Sequence, residues 1–249
     1  MSIQELSSLT YTSTTSVLRL CRKLGFSGFK DFKLQLLRDY DRYAQRGRSV
    51  NVNMPFDGRD TDLEVMQKIA SLTKDTVTAC QTLLSQTVVK DVVGRMLAAR
   101  NVLGVAVSDS FLRLTDFQNK MLKINVYVEL TNLQPEQAFL CTHATPDDLA
   151  LLVSYSGKTA EVVHDALILK DRGVPSVAIT SDAQSPLASL VDCVMPLPND
   201  ENSRMANYTL SSQIAIEYAL NVLFACIYKT QYYQSRQHLR QSRDMYLDG

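Results

Sequence analysis

Hydrophobic and polar positions change period along this chain. Near the start, apolar residues recur every three or four positions in short runs: Ile3, Leu6 and Leu9, then Val17, Leu20, Cys21 and Leu24, then Phe32, Leu36 and Leu37. That spacing predicts three short helices, over residues 2–9, 13–24 and 29–43, with Ser13 as N-cap and Gly25 as stop of the second. Residues 44–61 hold Gly47, Pro55 and Gly58 among polar residues without a sustained period, as a linker would. Two longer helices follow, the first marked by Leu63, Val65, Met66, Ile69, Leu72 and Val77, the second over residues 88–99. From Asn101 short apolar runs alternate with helical patterns. Strands are expected at 102–107, 126–128, 149–153, 176–179 and 193–196, and helices at 109–123, 134–142, 159–172 and 186–190. A long helix over 203–233 closes the pattern. The fold class is therefore α/β, a five-stranded parallel sheet flanked by helices and preceded by a small all-α domain. The expected domains are residues 1–45, a linker 46–61, and 62–249.

Composition narrows this picture. A chain of 249 residues is long enough for a sizeable core. Residues 1–15 are polar, unlike a signal peptide, and no apolar run approaches the roughly 18 residues of a membrane span. A cytoplasmic protein without a membrane partner is expected. Cys21, Cys80, Cys141, Cys193 and Cys226 are scattered and form no C-x-x-C, so free thiols are expected, with no zinc or other metal site. The chain is neutral overall, with 26 basic and 26 acidic residues, yet residues 1–50 hold nine Lys/Arg against four acids, leaving the remainder acidic by five charges. A basic end suits a polyanion, although a solvated helical face gives the same count.

The richest stretch for chemistry is residues 149–161. A buried-strand run, Leu149 to Val153, breaks into Ser154-Tyr155-Ser156-Gly157-Lys158-Thr159, after which Ala160, Val163, Ala166, Leu167 and Leu169 recur at helical spacing. A loop of hydroxyls and glycine at a helix N-terminus suits a phosphate, because the first N–H groups are unpaired and lie at the positive end of the dipole. An ordinary turn with Thr159 as a cap is the plain alternative. Gly157-Lys158-Thr159 is not a P-loop, which would need glycine at Leu152. A dinucleotide fingerprint fails likewise at Ala106 and Asp109, so no cofactor is expected. Ser108 and Ser110 form another hydroxyl loop after the first strand, and loops at the carboxyl ends of adjacent strands share one crevice. Ser108, Ser110, Ser154, Ser156 and Thr159 are thus expected to converge, with Thr180-Ser181-Asp182 as a third loop.

The two short N-terminal helices read as a helix-turn-helix. On the second, Thr14, Thr15, Leu18, Arg19, Arg22 and Lys23 fall largely outside the apolar stripe and suit the major groove, whereas Lys30, Lys33 and Arg38 on the third suit phosphate contact.

With both halves in view, the chain resembles the RpiR/MurR type of bacterial transcription regulator, which joins an N-terminal helix-turn-helix to a C-terminal SIS (sugar isomerase) domain. The resemblance rests on residues 2–6 and 13–33, most characteristically Arg19 to Lys33, and on Ser154-Tyr155-Ser156-Gly157-Lys158-Thr159 with Ile179-Thr180 and Ser185-Pro186-Leu187-Ala188 downstream. It implies a regulator of double-stranded operator DNA that binds a sugar phosphate, with Ser108, Ser154, Ser156 and Thr159 matching the family's positions, and that self-associates as a homodimer or homotetramer; Ser110 and Gly157, in the same two loops, are the other expected effector contacts. Two departures stand out. Met1 falls almost inside the motif, ahead of which the family has further helices that would cover Ile3, Leu6, Val17 and Leu20; either the chain has an earlier start or DNA binding is weakened. Ala106 stands where SIS domains commonly have glycine. The competing readings are a phosphosugar isomerase, with Glu161, Glu217, His143 or His164 as base, and a ligand-binding dimer that no longer contacts DNA. No catalytic residue is expected, since each of the four has a structural explanation.

Overall fold

A serine precedes each of the first two helices and caps it. The Ser2 hydroxyl accepts from the Glu5 N–H, and the Glu5 carboxylate accepts from the Ser2 N–H, opening α1 (Ile3–Leu9). Ser13 accepts from the Ser16 N–H at 3.1 Å, opening α2 (Thr14–Lys23). α2 ends at Gly25, whose φ of +89° lets the Gly25 and Phe26 N–H groups return to the Arg22 and Cys21 carbonyls. A further helical segment starts at Phe29.

The computed structural model describes residues 2–33, 50–201, 209–234, 236–238 and 240. Leu36, Leu37 and Arg38, and the expected helix beyond residue 33, lie outside the described residues, as do residues 203–208 and Arg243. The chain divides into two units, residues 1–49 and 50–249.

In the first unit the expected stripe on α2 is half buried: Val17 and Cys21 are inside, whereas Leu20 and Leu24 are 54% and 55% exposed. Leu9, expected to face inward, is also exposed. The described helical segments are too short to enclose all faces of α2, and Leu20 borders an apolar cleft of about 490 Å³ with Leu6, Phe29 and Phe32.

The second unit begins with α3 (Asp62–Leu83), capped by Thr61, and α4 (Gln86–Ala98), capped by Ser85. Then come β1 (Val102–Ala106), α5 (Ser108–Leu122), β2 (Val128–Glu129), α6 (Gln134–His143), β3 (Leu149–Val153), α7 (Ala160–Asp171), β4 (Ser176–Thr180), β5 (Cys193–Pro196) and α8 (Leu210–Thr230). The described strands form one all-parallel sheet of five in the order β2-β1-β3-β4-β5, as the alternation of periods predicts. Successive strand residues point to opposite faces. Leu149, Leu151, Val153, Val177 and Ile179 pack with α4, α5 and α8, whereas Leu103, Val105, Leu152 and Ala178 pack with α6 and α7.

Three expectations need correction. Residues 186–190 are successive turns, because the Ser185 hydroxyl takes the Ala188 N–H and the Ser189 hydroxyl donates to the Pro186 carbonyl in place of a helical ladder. The second strand lies one to two residues later than expected and keeps only Val128 and Glu129 in register with β1. α8 is, by length and composition, long and apolar enough to cross a membrane, contrary to the sequence reading. Its apolarity has a structural reason: Ala215, Ile216, Ala219, Leu220, Leu223 and Ile227 are buried in the core, and the helix packs on α3, α4 and α5. Of the five cysteines, none is bonded to another; Cys21, Cys80 and Cys141 are buried.

Candidate functional site

Strand order reverses between β1 and β3, where Ala106 pairs with Val153 and the chain leaves the two strands toward opposite faces of the sheet. An open α/β sheet has its crevice at such a point, outside the carboxyl ends of the strands. The loops 107–110 and 154–159 start on its two sides, and β4, paired with β3 at Ile179, brings in the loop 180–185.

The loop after β3 is held from beneath. The Gly157 N–H donates to the Ser154 carbonyl at 3.0 Å, and the Ser154 and Thr159 hydroxyls share a 2.8 Å hydrogen bond across the loop base. Thr159 is the N-cap residue of α7 by position, but its side chain makes no cap bond. The plain reading, in which it merely caps the helix, therefore does not describe this threonine. Gly157 has a φ of +63°, and a Cβ there would collide with the Ser185 side chain and lie 2.9 Å from the Thr180 hydroxyl. The Thr180 hydroxyl, the Ser181 N–H and the Ser181 hydroxyl all donate to the Tyr155 carbonyl, at 3.1, 2.8 and 2.8 Å. Loops 154–159 and 180–185 thus form one rigid wall. The Ser156 hydroxyl, half-buried, accepts from the Lys158 N–H at 3.2 Å.

On the β1 side, Ser108 is exposed and adopts a φ of +53°, unusual for a residue with a Cβ, while Ser110 is half-buried. Both lie in the first turn of α5, whose N-cap position, Val107, has no side chain that caps. The contrast with the helices remote from the crevice is informative: α1 to α4 are each capped by their own Ser or Thr, whereas α5 and α7 are not. α6, whose Gln137 reaches the Ala106 N–H at the end of β1, and α8 likewise have no side-chain cap. Uncapped first turns leave N–H donors and a positive dipole end for an anion. The loop's own cation is tied up, since Lys158 Nζ lies 3.1 Å from Asp182 Oδ2. The Gln184 N–H and then Lys158 hold that carboxyl below its ordinary range. The arrangement can hold a phosphate on backbone N–H groups and hydroxyls without placing a free charge beside it.

Two further residues of this wall carry no signal in the sequence. Tyr155 donates its phenol to the Pro198 carbonyl at 2.7 Å and accepts from the Glu201 N–H at 3.3 Å; burial pushes its pKa up to about 12. Glu201 is buried and accepts from the Ser212 N–H and hydroxyl, at 2.9 and 2.8 Å. Nothing in the spacing of Glu201 announces this, because Ser212 stands eleven residues on, a separation that marks no helical or strand period.

Of the four candidate bases, Glu217 is paired with Arg113 at 3.1 Å, the His143 ring hydrogen-bonds to the Phe139 carbonyl at 2.7 Å, and His164, three residues after Glu161 on α7, has its Nδ1 3.7 Å from Asp165 Oδ1. Ala106 uses its N–H on Gln137 Oε1, at 3.2 Å, and so is committed to the core.

In the first unit, α2 presents Thr15, Arg19, Arg22 and Lys23 to solvent, with Thr14 and Leu18 half-buried at the edge of the same surface. Lys30 is exposed. Lys33, expected on the exposed face, is instead half-buried at the rim of the apolar cleft, because the Phe29 and Phe32 side of its helical segment turns toward α2.

Comparison with known proteins places both halves. The SIS domain model matches residues 98–224, and the helix-turn-helix domain model of the rpiR family matches residues 1–42. The chain is 24% identical over 242 residues to the HTH-type transcriptional regulator YbbH of Bacillus subtilis, covering 97% of this chain and 83% of that protein. It is 27% identical over 245 residues to the HTH-type transcriptional regulator HexR of Pseudomonas aeruginosa, covering 98% of this chain and 83% of that one. Among solved structures, the Vibrio vulnificus NanR protein complexed with ManNAc-6P shares the fold with a TM-score of 0.69 at 21% identity, over 100% of this chain and 86% of that chain. The sugar isomerase domain of an RpiR transcription factor from Sphaerobacter thermophilus does so with a TM-score of 0.64 at 17% identity, over 72% of this chain and 98% of that chain.

Proposed function

This chain belongs to the rpiR family of helix-turn-helix transcriptional regulators with a SIS domain, and on that premise we propose that it adjusts operator binding to the level of a sugar phosphate held at the β1/β3 crevice. The observation that carries this reading is the pair of uncapped helix N-termini, α5 and α7, flanking hydroxyl loops at the switch point. Ser108, Ser110, Ser154, Ser156, Gly157 and Thr159 are the proposed effector contacts. NanR, which shares the fold along the whole chain, is complexed with a phosphorylated amino sugar, which supports this ligand class. α2 would enter the major groove with Thr14, Thr15, Leu18, Arg19, Arg22 and Lys23, while Lys30 and Lys33 take phosphates. A homodimer or homotetramer would set two copies of α2 on paired half-sites in the cytoplasm. The match to HTH-type transcriptional regulators along 97% and 98% of this chain supports regulation over isomerisation.

The test is thermal unfolding against a panel of sugar phosphates, N-acetylmannosamine 6-phosphate included, each beside its unphosphorylated sugar. A ligand at 100 times its dissociation constant stabilises by about 2.7 kcal/mol, which at this size moves the midpoint by roughly 5 to 10 °C. A shift with one phosphate ester, absent with its parent sugar, is the expected result. A flat panel would overturn the reading of the crevice.

A further inference from the structure

The first turn of α8 is a polar junction inside an otherwise apolar layer. Thr209, its N-cap residue, donates to Asp109 Oδ2 at 2.7 Å, next to Ser108 at the crevice. The Ser211 hydroxyl meets the Thr76 hydroxyl of α3 at 3.0 Å, both buried. Ser212 gives its N–H and its hydroxyl to the two oxygens of Glu201. Glu201 in turn donates its backbone N–H to the phenol of Tyr155, which lies between the proposed effector contacts Ser154 and Ser156.

A buried polar group costs free energy unless its partners are in place, so each link specifies one position of its neighbour. A neutral cap would satisfy an N-terminal N–H as well. A buried carboxylate bonded twice does more, because displacing it strands a charge. The series from phosphate loop to Tyr155, Glu201, Ser212, Ser211 and Thr76 ends on α3, the helix that follows residues 50–61 after the first unit in sequence.

We propose that Tyr155 and Glu201 are positioning residues that tie occupancy of the phosphate loop to the placement of α8 and, through the Ser211–Thr76 bond, of α3. This rests on the reading of the loop as the phosphate site. An effector changes DNA affinity only by binding two arrangements unequally, and this series supplies elements on which such arrangements can differ.

The experiment is hydrogen exchange by mass spectrometry on the full chain, with inorganic phosphate at saturating concentration as the probe. In the unsubstituted protein, phosphate slows exchange in residues 154–161 and also in 210–214 and 72–80, beyond the change common to the other segments of residues 62–230, which reports global stabilisation. Tyr155→Phe keeps the ring and removes the phenol; it retains the effect at 154–161 and loses it at 210–214 and 72–80. Thr76→Val, a near-isosteric change on another element, retains the first two effects and loses only that at 72–80, so the proposal stays testable if the tyrosine variant does not fold. A phosphate effect confined to 154–161 in the unsubstituted protein, or an undiminished distant effect in the variants that fold, overturns the inference while leaving the site reading intact. No effect at 154–161 overturns the site reading and the inference with it.

Discussion

Replacing Gly157 with alanine tests the geometry of the proposed phosphate loop most directly. Two independent costs are readable at this position. The φ of +63° is left-handed, which costs an L-residue about 1–2 kcal/mol. The added Cβ would collide with Ser185 and lie 2.9 Å from the Thr180 hydroxyl, in a wall fixed by three donors to the Tyr155 carbonyl. Overpacking of that kind costs about 1–3 kcal/mol. Gly157→Ala should therefore lose about 2–5 kcal/mol, a fall in Tm of roughly 4–20 °C for a chain of this size. The assay is chemical denaturation with calorimetry, for the single variant and for Gly157→Ala with Ser185→Gly. The second change removes the side chain that would collide but not the conformational penalty, so the double variant should recover part of the loss relative to Ser185→Gly alone. If Gly157→Ala is as stable as the parent, the loop does not have the conformation described. If the two changes are additive, the contact with Ser185 is not the source of the cost.

Arg19→Ala with Arg22→Ala should weaken operator binding and flatten its dependence on salt, by about one unit of slope for each DNA phosphate that is no longer neutralised, while leaving phosphosugar stabilisation unchanged. Undiminished operator binding would refute the groove assignment. Asp165 is buried and accepts from Gln137 Nε2 at 2.8 Å; burial raises its pKa. A raised folded-state pKa means that the stability from protonated Asp165 is fully present below the ordinary carboxylate range and is lost as pH rises through the folded-state value. Asp165→Asn keeps an acceptor for Gln137 without the charge, so unfolding midpoints between about pH 4 and pH 8 should fall less for the variant. A constant difference between the two proteins over that range would contradict this.

How far the sequence carries depends on how local the cause is. Ser13, Gly25, the five strands and the hydroxyl loop at 154–159 act over three to six residues, and spacing alone exposes them. The position of β2 is harder to read, because a two-residue strand has too few positions to show its period. Pro186 and two serines that bond their own backbone turn an apparent helix at 186–190 into turns. Leu20 and Leu24 obey the helical period, yet their burial depends on what packs over α2, which no periodicity on α2 reports. Tyr155 is invisible to spacing for the same reason, since Pro198 is reached only through the pairing of β3, β4 and β5, and Glu201 meets Ser212 eleven residues on, a separation that no helical or strand period marks. The membrane-like apolarity of α8 is the reverse case, a local signal whose meaning is set by neighbours.

The unequal capping of the helices also has a consequence for the lifetime of the protein. α5 and α7 are unfinished elements, lacking at their first turns the side-chain bonds that α1 to α4 supply for themselves. Under the proposed function, a phosphate seated there would complete both, and the metabolite would act as a missing piece of the fold as well as a signal. Cellular proteases sample the opened fraction of a protein, and that fraction shrinks whenever a ligand binds the folded form. Under the proposed function, the abundance of the regulator would follow the supply of its ligand: with the sugar phosphate scarce, less of the protein would survive to occupy an operator, and the gene circuit would gain a slow response beneath the fast one.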